Sequence, residues 1–196
     1  HGTEAVSETE SVTRTINYIY GKDQSQASPS VSETAHFNRT GTRDQVTGVI
    51  TYNPWVSSDS TFNAVTSPVL TGYSADKLSI GSETVSATDA DLVHVVTYLQ
   101  EGQNARFIFI DKTDGNKELL RHDSTGLTGD AIGYDAKGQL DAYLAQGYVV
   151  DSQPTSYDPN QIYTADASDL EEFIYVLVHG TEAVSETESV TRTINY

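Results

Sequence analysis

The last eighteen residues of the chain, His179 to Tyr196, repeat His1 to Tyr18 without a mismatch. The offset is 179 − 1 = 178 residues, so the chain holds one full period of a tandem array and the opening of the next. Such a period is too long for a solenoid unit and long enough for one or two domains that fold on their own. Arrays of long, near-identical modules are usually spacers or multivalent binders and seldom enzymes. Two small domains fit 196 residues better than one large one here. The expected division is 1–100, 101–178, and 179–196 as the start of the following repeat.

Charge narrows the partners. There are 28 Asp and Glu against 11 Lys and Arg, a net charge of −17. That argues against nucleic acid and anionic membrane, which need a basic patch. It suits solubility in a crowded surface array. Cysteine and methionine are absent, while Ser, Thr and Tyr are abundant, a composition that fits an exported protein of a Gram-positive bacterium. No signal peptide or apolar span is visible, and in a piece of a longer array that says nothing about the parent. Asn38-Arg39-Thr40 matches a glycosylation sequon and is read as coincidence in a bacterial protein.

Alternation dominates the pattern. Val12, Arg14, Ile16, Tyr18 and Tyr20 share one face of a strand. A loop from Gly21 to Pro29 leads to a second strand over Val31 to Asn38. Thr40-Gly41-Thr42 is read as a turn, and Val46 to Tyr52 as the next strand, ended by Asn53-Pro54. Residues 62–70 are ambiguous between a helical turn and extended chain. His94 to Tyr98 is a strand.

After Glu101-Gly102 a second unit begins. Arg106 to Ile110 and Glu118 to Leu120 flank an Asp114-Gly115 hairpin turn. Asp135 can cap a helix on which Ala136, Leu140, Tyr143 and Leu144 form one apolar stripe, and Gly147 stops it. Tyr148 to Val150 and Phe173 to Val178 are strands. The units share one plan: an opening hairpin, a Gly-Tyr pair (Gly72-Tyr73, Gly147-Tyr148), and a closing strand after an acidic loop (Asp89 and Asp91; Asp166 and Asp169). The expected fold is α+β and β-rich: two tandem β-grasp (ubiquitin-like) domains in an elongated arrangement, with the helix of the first weak or replaced by a turn.

Two further sets of residues point to a family. Val12 to Tyr18, Arg39 to Asp44, Val46-Thr47-Gly48 and Trp55 resemble the first half of Mub-type mucus-binding repeats. Gly129 to Tyr134 and Ala145 to Tyr148 resemble their second half, the mucin-binding homology (MucBP) domain. Together these cover most of residues 11–178, in the order the family has them. The resemblance implies two-domain repeats of an extracellular adhesin, anchored to a Gram-positive cell wall, with mucin glycans as partners and immunoglobulins as partners of some repeats.

The chemistry is that of binding. His36 and His94 lie in strands, far in sequence from any nucleophile-elbow serine, so no catalytic residues are expected. Zinc spacing is missing. Asp111, Asp114 and Asn116 are spaced like part of a calcium loop, but the twelve-residue pattern with its terminal Glu is not there. A hairpin turn is their expected use, with a structural Ca2+ as the alternative and otherwise no cofactor. Sugar C–H faces stack on aromatic rings, and the loop-proximal candidates are Tyr52, Trp55, Tyr134 and Tyr157, each weighed against ordinary packing.

Mucins carry sialic acid and sulfate, which a −17 module repels over about 8 Å at physiological salt. Binding then rests on local hydrogen bonds or on arginines such as Arg39, Arg43, Arg106 or Arg121. Each site is weak, and repetition supplies about 10²- to 10⁴-fold in avidity. Two alternatives stand beside mucin binding. One is immunoglobulin capture by the Val31 to Asn38 edge, and the other is a purely structural stalk. An isolated repeat is expected to be monomeric. The second copy of the opening strand lacks the rest of its domain, so it is expected to lean on a neighbouring molecule.

Overall fold

The computed structural model describes residues 1–155, 158, 160–165 and 170–196. It is β-rich with one short helix. It divides into two units, His1–Glu101 and Gly102–Tyr196.

In the first unit β1 (Thr3–Tyr20) and β2 (Gln26–Asp44) form a long antiparallel hairpin. Seven short or medium strands follow: β3 (Ile50–Tyr52), β4 (Thr61–Phe62), β5 (Val65–Thr66), β6 (Tyr73–Ala75), β7 (Ser79–Ile80), β8 (Glu83–Thr84) and β9 (Leu92–Gln100). β9 returns parallel to β1, from Arg14 opposite Leu92 to Tyr20 opposite Tyr98. The sheet order is β3-β2-β1-β9-β6. The alternation of β1 holds: Val12, Arg14, Ile16 and Tyr18 are buried, and Tyr20, half-buried at the strand end, packs against the same core. Where a helix was expected to be weak, two ribbons stand, β4 with β8 and β5 with β7. From these ribbons and the turn after β8, Phe62, Ile80 and Val85 pack on the inner face of the sheet.

Several sequence expectations fail between β1 and β3. β1 begins nine residues before Val12, and β2 absorbs both the expected loop at 26–29 and the expected turn at Thr40-Gly41-Thr42. Gly41 is there for close approach: a Cβ would meet the Thr51 carbonyl and Tyr52 of β3. The chain turns instead after Asp44, whose carboxylate accepts the amides of Val46 and Thr47 at 2.8 and 3.0 Å. Gly48 closes that turn with φ +73°, so Val46 to Val49 are not strand. The edge expected at Val31 to Asn38 is closed at its end. Asn38 exchanges both backbone bonds with Val56, and the His36 amide donates to Asp59.

In the second unit β10 (Gly102–Asp111) and β11 (Lys117–Leu127) form the expected hairpin around Asp114-Gly115. Next come α1 (Ala136–Ala145), β12 (Tyr148–Ser152) and β13 (Leu170–His179), which runs parallel to β10. The order is β11-β10-β13-β12. Ala136 and Leu140 of α1 are buried against Phe107, Phe109, Phe173, Tyr175 and Leu177. Leu144, expected on that stripe, is 40% exposed and takes no part in the core that Tyr143 packs against. Asp166 and Asp169 lie outside the described residues. Residues 180–196 carry no regular structure and are exposed throughout.

Candidate functional site

Of the aromatic residues expected to face sugars, Tyr52, Trp55 and Tyr134 each lie against other side chains. Arg39 of β2 is sandwiched between Tyr52 and Trp55, its Cζ 3.8 and 4.4 Å from the two ring centres. Its Nε and Nη2 donate to the Glu8 carboxylate, which also accepts the Tyr52 hydroxyl. That hydroxyl, then Arg39, holds the Glu8 carboxyl below its usual range. Tyr52 and Trp55 therefore clamp a neutralised arginine against β1. Tyr134 lies flat on His122, with ring centres 4.0 Å apart, and touches Phe107 at 4.6 Å, so it lids the second core. Tyr157 lies outside the described residues.

Of the arginines weighed for anionic sugars, Arg106 and Arg121 are likewise occupied: Arg106 by Asp123 at 2.6 Å and Glu172 at 3.5 Å, Arg121 by Glu118 at 2.6 Å. Arg43 faces Glu4 across the hairpin.

The three turn residues weighed for calcium are used by the protein itself. Asp111 is buried; one oxygen accepts the amides of Thr113 and Asp114, and the other accepts from the Tyr148 hydroxyl at 3.2 Å and the His179 Nε2 at 2.8 Å. Burial pushes its pKa up, but these bonds outweigh it and leave the carboxyl below its usual range. Asp114 pairs with Lys117 at 3.6 Å, and Asn116 sits at φ +63° in the turn. Among the described residues no group of three or more His, Asp or Glu is placed to hold a metal.

The concave aromatic surface is elsewhere in the first unit. A cleft of about 260 Å³ is lined by Tyr20, Lys22, Asp23, Ser25, Tyr73, Tyr98 and Gln100. Tyr20 ends β1 and Tyr73 opens β6, with ring centres 4.8 Å apart and planes at 51°. Both rings are half exposed. Tyr98 is the floor, fixed by its hydroxyl donating to the Pro68 carbonyl at 2.5 Å. Burial pushes its pKa up, so it stays a donor. The rim is the β1–β2 turn, where Gln24 adopts φ +62°. There the Asp23 carboxylate accepts the Ser25 hydroxyl and amide at 2.6 and 3.0 Å, which holds it charged and in place. A second hollow of about 250 Å³ shares Tyr73 and Tyr98 and is flanked by Pro68, Val69, Leu70 and Leu78. Tyr73 is thus the wall between two hollows. Tyr73 follows Gly72, which takes φ +82°; the sequence marked this Gly-Tyr pair as a feature shared by the two units and not as a binding residue.

Residues 3–102 match the model of the Muc B2-like domain, and residues 103–179 that of the mucin binding domain. Among solved structures, the chain is similar to the mucin-binding domain of a Streptococcus pneumoniae protein at 26% identity and TM-score 0.46, over 50% of this chain and 96% of that one. A MucBP domain of a Lactobacillus acidophilus protein matches at 31% identity and TM-score 0.44, over 51% of this chain and 100% of that one. The type 2 repeat of the mucus binding protein MUB from Lactobacillus reuteri matches at 24% identity and TM-score 0.40, over 52% of this chain and 60% of that one. No curated protein matches the chain.

Proposed function

The chain belongs to the Muc B2-like domain family through residues 3–102 and carries a mucin binding domain through residues 103–179, and from that membership we propose that it is an extracellular adhesin repeat that binds mucin glycans weakly and gains strength by repetition. Both families are binding domains, and the cleft sets aromatic faces beside polar groups, which is the chemistry of adhesion. Among the described residues no helix is long and apolar enough to cross a membrane. The β-grasp reading of each unit is supported by its parallel pairing of opening and closing strands, β1 with β9 and β10 with β13.

The observation that carries the glycan reading is the cleft with two half-exposed tyrosine faces beside fixed polar groups. A sugar ring lays its C–H face on Tyr20 or Tyr73, while Asp23 accepts hydroxyl hydrogens. Arg39, Arg106 and Arg121 are occupied by carboxylates, so those three offer sialic acid no unpaired guanidinium. The test is retention of a single repeat on immobilised mucin before and after Tyr73→Ala. Loss of about 1–3 kcal/mol of a stacking contact lowers affinity about five- to 150-fold, with far-ultraviolet dichroism unchanged. Equal retention by the variant rejects the cleft, and no retention by either form favours the stalk.

The stalk reading has its own support. In each unit the first and last strands run side by side and parallel, so tension between the ends loads their hydrogen bonds in shear, all together. A stalk and a weak binder are compatible in one repeat.

A further inference from the structure

Tyr73 has a hollow on each side, and the two differ in chemistry. The cleft is lined by Lys22, Asp23, Ser25 and Gln100 beside its tyrosines. The other hollow, of about 250 Å³, is walled by Pro68, Val69, Leu70 and Leu78, and Ser74 and Glu101 also line it. Tyr98 lines both, so the two are contiguous across the Tyr73 ring. Val69 is 95% exposed and Leu78 79%. A single apolar side chain in solvent is ordinary. Two around one hollow, beside an aromatic wall, mark a surface that gains by being covered.

Backbone bonds hold this hollow in shape. The Ser67 amide donates to the Leu78 carbonyl at 2.9 Å and its hydroxyl to the Lys77 carbonyl at 2.7 Å, which ties the 67–70 segment to Leu78. The Tyr73 amide donates to the Leu70 carbonyl at 3.1 Å, and the Tyr98 hydroxyl to the Pro68 carbonyl at 2.5 Å. None of these bonds uses the side chain of Val69 or Leu78. A ligand therefore meets a formed surface and pays little to order it.

We infer that the hollow receives the acetamido group of an N-acetylhexosamine, carried by an oligosaccharide that is stacked in the cleft. This rests on the glycan reading of the cleft and gives it a specificity. A group that crosses Tyr73 from a stacked sugar must be small and apolar at its tip. A hexose hydroxyl brings a polar atom against Val69 and Leu78, where it finds no partner and loses its water. An acetamido group brings a methyl to them. Its N–H needs an acceptor, and Glu101 is the acceptor in the lining. The Glu101 carboxylate takes the Ser74 hydroxyl at 2.6 Å, and a carboxylate has lone pairs for more than one donor.

Lactose and N-acetyllactosamine differ only by a hydroxyl against an acetamido group, so the ratio of their affinities reads the hollow. Burying one methyl is worth about fourfold. In NMR titrations the chain should bind N-acetyllactosamine about fourfold more tightly than lactose, or better. Val69→Ser and Leu78→Ser each change an exposed side chain, and each should bring the ratio toward one. The amide spectrum reports the fold in the same experiment. Equal affinity for the two sugars, with both weakened by Tyr73→Ala, overturns the inference and leaves the cleft standing. A ratio that survives in both serine variants also overturns it, because the methyl then lies elsewhere. If neither sugar binds, or if Tyr73→Ala weakens neither, the cleft reading fails and the hollow's assignment falls with it.

Discussion

At the scale of the residue, Arg14 shows what a buried charge requires. Its side chain is fully enclosed and has five N–H donors. Nε and Nη2 donate to Glu33, Nη1 to the Gly81 carbonyl and Glu83, and Nη2 also to the Asn63 carbonyl. The guanidinium carbon lies 5.0 Å over the Phe62 ring, and His94 donates to Glu83 from the other side at 2.9 Å. Removing such a residue leaves two carboxylates and two carbonyls around a void, so Arg14→Ala should cost about 3 kcal/mol. Urea unfolding followed at Trp55 measures it. The identical change in the second copy, Arg192→Ala, touches an exposed tail and should stay within about 0.5 kcal/mol. Equal effects at both positions would mean that sequence, and not burial, sets the value. The alternation along β1 put Arg14 on the inner face, but its partners were not legible. Glu33, Asn63, Gly81 and Glu83 come from three other stretches of chain, and only the folded register brings them together.

At the scale of the element, legibility follows locality. The helix was readable because its start, stripe and stop lie within thirteen residues. Asp135 accepts the Gly138 amide at 2.8 Å, Ala136 and Leu140 face the core, and Gly147 at φ +96° ends it. Asp135→Ala should therefore lower the stability of the second unit by about 1 kcal/mol, and Asp135→Ser should restore most of it. Scanning calorimetry resolves the difference, and an unchanged unfolding temperature in the alanine variant would show that the cap is idle. The stretch from Thr40 to Tyr52 misled because glycine has two uses. Gly41 was read as a turn residue, yet it sits mid-strand so that β3 can come close. The turn was set by Asp44, whose side chain binds the following amides. The duplicated segment makes the same point more strongly. One sequence is strand where β2 and β9 flank it and irregular where they do not. Strand propensity is thus a statement about neighbours.

At the scale of the whole molecule, the net charge of −17 decides how binding responds to pH. Several carboxylates that hold the fold have pKa values below their usual range. The His36 side chain, with the His36 amide and Ser57, lowers Asp59 to about 2. Glu8, Asp44, Asp111 and Asp123 are lowered as well. A carboxylate with a depressed folded pKa contributes stability that is present above its unfolded value, about 4, and lost only as pH falls through the folded value. At pH 4 to 5 Asp59 remains ionised, and the other four keep their charge to a lower pH than an unperturbed carboxylate would, so their contribution to the fold persists further into acid. Carboxylates as a class begin to take up protons in that range, so the field that repels sialylated and sulfated mucin weakens while the tyrosine cleft stays formed. Retention of one repeat on mucin should therefore rise between pH 7 and pH 4.5, with Trp55 fluorescence unchanged. The rise should be smaller in 0.5 M salt, where screening already shortens the repulsion. Asialo, desulfated mucin separates the two contributions. If charge relief is the cause, the neutral surface should show little pH dependence while still losing retention with Tyr73→Ala. Retention that stays flat or falls at pH 4.5, with the fold intact, would mean that repulsion does not limit adhesion.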